Sequence, residues 1–217
     1  MEDAVVVKDA VKKYRETTAL NHVTVSFGKG KIHGIIGRNG SGKTVLFKSV
    51  CGFISLTSGQ VYVEGKWVGK DVDMPDNIGM IIEAPSFLPD FSGYRNLKYL
   101  ADIRGRIGKQ EIRGAMEMVG LDPDMKKHVG KYSLGMRQRL GIAQAIMEKP
   151  DILVLDEPMN GLDNRGVEDM RKLFLSLKET GVTILLASHN REDILALCDT
   201  VHEMDAGALL EKEAEGV

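Results

Sequence analysis

The chain has 217 residues, 43% of them hydrophobic and 28% charged, a composition that suits one folded core or a core with a small subdomain. Twenty-nine basic against 31 acidic side chains leave a formal net charge of -2, so no overall basic field exists to hold nucleic acid or an anionic bilayer, and any anion must be bound locally. The two cysteines, Cys51 and Cys198, lie far apart without C-x-x-C spacing, which indicates neither a zinc site nor a disulfide framework and predicts two buried free thiols.

The opening residues 1–8 carry no basic region followed by an apolar core, so no secretory leader is expected and a cytoplasmic location follows. Residues 5–7, 23–27 and 61–63 are β-branched or alternating runs bounded by Gly, Lys and Asp, and they predict an antiparallel layer of strands. The runs at 32–36, 78–82, 152–155 and 182–187 are nearly all apolar, the pattern of strands buried on both faces in a parallel sheet. All fall far short of the roughly 20 apolar residues a membrane-spanning helix needs. Helical patterns occupy 43–52, 93–103, 111–120, 134–148 and 165–180. Their alternation with the strands predicts an α/β fold, mainly a parallel sheet flanked by helices. Between about residues 84 and 135 helices follow one another with no apolar strand, which predicts a helical subdomain inserted into the core of a single domain spanning 1–217.

Directly after the apolar run at 32–36 come Gly37, Arg38, Asn39, Gly40, Ser41, Gly42, Lys43 and Thr44, matching G-x-x-x-x-G-K-[ST] at every fixed position between a strand and a helix. The glycines let the backbone curl so that successive N–H groups point at phosphate oxygens, and the following helix adds the positive end of its dipole. In such a loop Lys43 reaches the β- and γ-phosphates and Thr44 a magnesium ion. The loop predicts nucleotide binding without separating kinases, GTPases and transport ATPases.

Asp156 and Glu157 end the run at 152–155, and sheet ligands bind beyond the carboxyl ends of buried strands. Beside a phosphate loop, Asp156 suits hydrated magnesium, and Glu157 suits a general base that orients and deprotonates the attacking water. His189 follows the last buried run and reaches either the γ-phosphate or nothing beyond its own loop. Asp163 closes a turn after the acidic pair and fits equally as the cap of the helix at 165–180.

Shortly before the acidic strand, Tyr132, Ser133, Leu134, Gly135, Met136, Arg137, Gln138 and Arg139 resemble the ABC signature, usually written L-S-G-G-Q. Ser133 and Gly135 match it and Gln138 and Arg139 match its usual continuation, whereas Tyr132, Leu134 and Met136 depart from it. Ser133 can cap the helix that begins near Leu134, leaving first-turn N–H groups for an anion. The remaining landmarks of ABC ATP-binding subunits follow in their usual order: Tyr14 for the aromatic that stacks on adenine, Glu83 at the Q-loop position, the signature, the acidic pair, Asp163 and His189. The resemblance covers essentially the whole chain.

It implies ATP and magnesium as ligands and a second ATP-binding subunit packed head to tail, with Ser133, Gly135 and Met136 facing the γ-phosphate held by that partner and Asp163 at the dimer contact. It also implies an integral membrane permease, and hence a peripheral position on the inner face of the membrane. Glu83 replaces the glutamine of most relatives: an ionised carboxylate cannot donate, but it can accept from magnesium-bound water. Glu83, Ala84, Pro85, Ser86 and Phe87, together with the variant signature, resemble the bacitracin and lantibiotic exporter group, which implies export of peptide antibiotic-like, amphipathic substrates. The rival reading is a soluble ABC ATPase that remodels a ribosomal, nucleic-acid or metal-cluster assembly. A small-molecule P-loop kinase leaves the signature and His189 unexplained. Trp67 reads as a packing residue at a hairpin end.

Overall fold

The computed structural model describes residues 2–212. In chain order its elements are β1 (Asp3–Tyr14), β2 (Thr17–Gly28), β3 (Ile32–Ile36), α1 (Lys43–Val50), β4 (Ser58–Val63), β5 (Lys66–Trp67) and β6 (Ile78–Ile81), then α2 (Gly93–Arg104), α3 (Lys109–Met118) and α4 (Leu134–Ile146). β7 (Ile152–Asp156), α5 (Asn164–Glu179), β8 (Thr183–Ala187), α6 (Arg191–Leu197), β9 (Thr200–Asp205) and β10 (Ala208–Lys212) complete it.

Two sheets organise these elements. The antiparallel one runs β2-β1-β4-β5. Its first two strands are far longer than the apolar runs at 5–7 and 23–27 suggest, because bulges break the period of two that marks a strand. Asp9 and His22 sit in these irregular stretches with φ of 49° and 53°, and His22 Nδ1 bonds Asp9 Oδ1 at 2.7 Å. The β4-β5 hairpin ends on Trp67, whose ring lies 5.9 Å from that of Tyr62, the packing role expected of it.

The second sheet runs β10-β9-β3-β8-β7-β6, parallel throughout except for β10. It is the middle layer of the molecule, and the continuous apolar runs follow from that position. On β7, Ile152 and Val154 pack with Leu46 and Phe47 of α1 and with Val5 and Phe27 of the antiparallel sheet. The alternate residues Leu153 and Leu155 face the opposite way, toward Leu140 and Ile142 of α4 and Met170 and Phe174 of α5. Each fully buried side chain of this size contributes about 1.5–3 kcal/mol. Leu97 of α2 and Ile112 and Met116 of α3 join the second of these cores, so the inserted helices share apolar packing with the sheet they interrupt.

The cysteines split. Cys51 is buried and burial pushes its thiol up to about 12, whereas Cys198 is only partly buried, contrary to expectation, although its thiol is raised similarly. Among the described residues no helix is long and apolar enough to cross a membrane.

Because β3, β8, β7 and β6 are neighbours and parallel, their carboxyl ends lie along one edge. The segments starting at Gly37, Ser188, Glu157 and Ile82 therefore leave the sheet side by side, the usual place for a ligand in an α/β sheet.

Candidate active site

Gly37 and Gly42 show why the loop between β3 and α1 needs glycine. Gly37 has φ 150° and Gly42 φ 112°, and a Cβ would stand 2.2 Å from the Met204 carbonyl oxygen at the first and 2.5 Å from the Ala19 carbonyl oxygen at the second. Lys43 is buried, and its Nζ donates to the carbonyl oxygens of Gly37 and Arg38 at 2.6 and 3.1 Å, so the ammonium is held beneath the loop. Ser41 Oγ is buried with no hydrogen-bond partner among the described residues, an open valence of the kind a phosphate oxygen satisfies. Asn39, Gly40, Ser41, Gly42, Lys43 and Thr44 all line one cavity of about 510 Å³.

Across that cavity stands the end of β7, with Asp156 and Glu157 in its wall. Thr44 Oγ1 donates to Asp156 Oδ2 at 2.7 Å, linking the first turn of α1 to the sheet. Glu157 takes φ 52°, its N–H donates to the Ala187 carbonyl, and its carboxylate Oε2 lies 2.8 Å from His189 Nδ1. With the proton on Nδ1, the imidazole orients the carboxylate, as a base-orienting group must. His189, for which the γ-phosphate and an ordinary loop position were both open, meets Glu157, which is mostly shielded at 21% side-chain exposure. Among the described residues no three His, Cys, Asp or Glu side chains gather as a metal site. A hydroxyl and one carboxylate suit a magnesium ion that takes its other ligands from water and phosphate.

Glu83 also lines this cavity, two residues past β6, but its carboxylate is paired with Lys48 Nζ at 2.7 Å. Tyr14, at the end of β1, is 46% exposed and lies under the Lys12 ammonium, 5.0 Å from its ring centroid. Ala19, on the next strand, is the residue of this region that reaches the cavity wall.

The segment at 132–139 forms the start of α4. Ser133 is its N-cap, accepting from Met136 N at 3.2 Å. The backbone passes close to the loop after Glu157: a Cβ on Gly135 would lie 2.9 Å from the Gly161 carbonyl oxygen, and Gln138 Nε2 donates to the Pro158 carbonyl at 3.0 Å. Tyr132, the first departure from the family pattern, is buried, and its hydroxyl accepts from Gly93 N, tying the signature segment to the start of α2. Leu134 is 58% exposed and lines the same cavity as Lys43 and Asp156. Asp163 does serve as a cap, accepting from Gly166 N at 2.8 Å at the start of α5.

The family model described as ABC transporter matches residues 20–160. This chain belongs to the ABC transporter family. It is 43% identical over 203 residues to the uncharacterized ABC transporter ATP-binding protein YybJ of Bacillus subtilis strain 168, covering 94% of this chain and 93% of that one. It is 40% identical over 214 residues to the bacitracin transport ATP-binding protein BcrA of Enterococcus faecalis, covering 98% and 70%. Among solved structures, a dimeric post-hydrolysis state of an ATP-binding cassette with ADP and Pi bound gives a TM-score of 0.87 over 98% of this chain and 100% of that one, at 21% identity, which shows the shared fold. The chain is thus an ABC ATPase, a motor of ATP-driven transport.

In this ABC cassette one supporting network escaped sequence reasoning. Asp193, at the start of α6 and 2% exposed, receives Arg171 of α5 at 2.6 and 2.9 Å and the Ser188 hydroxyl at 3.3 Å. Ser188 Oγ in turn accepts from Asn190 N, so the network braces the turn that carries His189. Its signal in the sequence was Asn190 followed by Glu192 and Asp193, a capped and acidic first turn. Removing Arg171 leaves a buried carboxylate without its counter-ion, and Arg171→Ala is expected to cost about 3–5 kcal/mol, read from the urea unfolding midpoint. A midpoint within error of the parent would show that Asp193 needs no such partner.

Proposed function

We propose that this chain is the cytoplasmic ATPase subunit of an exporter of amphipathic, peptide antibiotic-like substrates, bound through a permease to the inner face of the membrane. Two such subunits pack head to tail, and Ser133, Gly135 and Met136 of each meet the γ-phosphate held by the other. Because the Ser133 hydroxyl is engaged in capping, the group offered to that phosphate is the first turn of α4, with its unpaired N–H groups. Gly161 and Leu162 lie against the signature segment, and with Asp163, the next residue, they carry the state of one site to the other.

The observation that carries the chemistry is a pair of contacts made by the acidic residues that line one cavity, Asp156 with Thr44 and Glu157 with His189. Lys43 exchanges its bonds to Gly37 and Arg38 for the β- and γ-phosphate oxygens, and the loop N–H groups take the remaining negative charge. Glu157 removes a proton from water as the oxygen bonds the γ-phosphorus and the bond to the bridging oxygen of ADP breaks, while His189 holds the carboxylate in place. Thr44 and Asp156 would hold a magnesium ion, which would supply charge neutralisation at the phosphates, and Glu83, paired with Lys48, would stand outside that set. Tyr14 stacks on the adenine from the end of β1.

The transport reading gains support from relatives named as transport ATP-binding proteins, and none of the residues above asks for a nucleic acid or assembly partner. Purification of the tagged chain from membranes of its native cell in mild detergent tests it. Co-purification of an integral membrane protein is the expected result. Recovery from the soluble fraction alone, with ribosomal or assembly proteins attached, would favour the remodelling ATPase.

A further inference from the structure

Helix α1 carries two contacts on one face. Thr44 and Lys48 are four residues apart, hence one turn above the other. Thr44 bonds Asp156 beyond β7, and Lys48 bonds Glu83 beyond β6. Those strands are parallel neighbours, with Ile81 opposite Leu155, and Glu83 and Glu157, just past their ends, line the same cavity. Both glutamates take the left-handed backbone, φ 63° and 52°, which a non-glycine residue adopts at a cost. Each carboxylate is also held by one cation-forming side chain, Glu157 by His189 and Glu83 by Lys48.

This arrangement addresses the electrostatic problem that Glu83 creates. A third carboxylate on a wall shared with Asp156 and Glu157 repels a triphosphate, and an amide at the same position would not. Lys48 is only 30% exposed, is fixed to a rigid helix, and reaches the carboxylate at 2.7 Å. With three donors on a flexible stem, Lys48 can neutralise a carboxylate without occupying the phosphate site.

We propose that Lys48 is a positioning residue for Glu83: it neutralises the carboxylate at the cavity wall and holds it back from the bound nucleotide. The inference rests on the nucleotide-site reading above. Glu83 then contributes little net charge to the site while Lys48 is present, and its effect on ATP binding becomes large when Lys48 is removed.

A double-mutant cycle tests this by calorimetric titration of ATP with magnesium into the full chain, comparing parent, Glu83→Gln, Lys48→Met and both together. In the Lys48 background, Glu83→Gln is expected to change the Kd by less than about twofold, and in the Lys48→Met background by about three- to ten-fold toward tighter binding, as one released charge acting on a multiply charged anion predicts. Lys48→Arg should behave as the parent does. Thermal unfolding midpoints of all five proteins separate this from a loss of folded protein. Equal effects of Glu83→Gln in the two backgrounds would overturn the positioning role, because charges that act independently give an additive cycle. Failure of the folded parent itself to bind ATP would instead overturn the nucleotide-site reading, and the role of Lys48 with it.

Discussion

Glu157→Gln is expected to bind ATP with near-parental affinity and to hydrolyse it at least about 10²-fold more slowly, the loss typical when a general base is removed. The substitution is close to isosteric, and the amide can keep a hydrogen bond to His189 Nδ1, because the ring adopts whichever tautomer the partner requires. The left-handed backbone at 157 and the bond from its N–H to the Ala187 carbonyl are untouched. What disappears is the capacity to accept the proton of water. ATPase turnover and nucleotide affinity measured on the same preparation separate the two properties. Turnover within about threefold of the parent would show that another group activates the water, and His189, already bonded to Glu157, would then be the first to test.

Much of this site was legible before the fold was known, for a physical reason. A phosphate loop works through backbone geometry, so its glycines and its lysine are fixed in type and spacing, and Gly37 and Gly42 stand where any side chain would strike a carbonyl. The buried strands were equally plain, since β7 and β8 are covered on both faces and their sequences are nearly all apolar. The antiparallel strands were read short because Asp9 and His22 interrupt the alternation, and a bulge leaves no period to detect.

Pairing was harder to foresee than position. The strand ends placed Glu157 and His189 on one edge and the family resemblance put Glu83 at the same site, yet neither gave a hint that His189 would engage Glu157 or that Lys48 would claim Glu83. Those contacts depend on strand order, and β6, β7 and β8 become neighbours only through connections of very different length. The Arg171 and Asp193 pair was hidden for the same reason, because it joins two helices that flank β8. The cap readings of Ser133 and Asp163 were decided by the folded structure, which shows both side chains accepting from the backbone three residues on.

Lys43→Ala attacks the other half of the mechanism and is expected to abolish useful nucleotide binding. Charge-assisted hydrogen bonds of the kind a phosphate offers contribute about 1.5–3 kcal/mol each, so losing one raises the Kd for ATP by about ten- to a hundred-fold. Part of what Lys43 contributes is already offset in the parent, because its Nζ gives up the Gly37 and Arg38 carbonyls when it takes the phosphates. The variant should still bind weakly even at magnesium concentrations that saturate the parent, whereas Glu157→Gln should not. Calorimetric titration of ATP, with the thermal midpoint as a check that the buried site still folds, gives the comparison. An affinity equal to the parent's would mean that the loop N–H groups alone hold the phosphates, and the division of labour between a binding lysine and a catalytic glutamate would have to be redrawn.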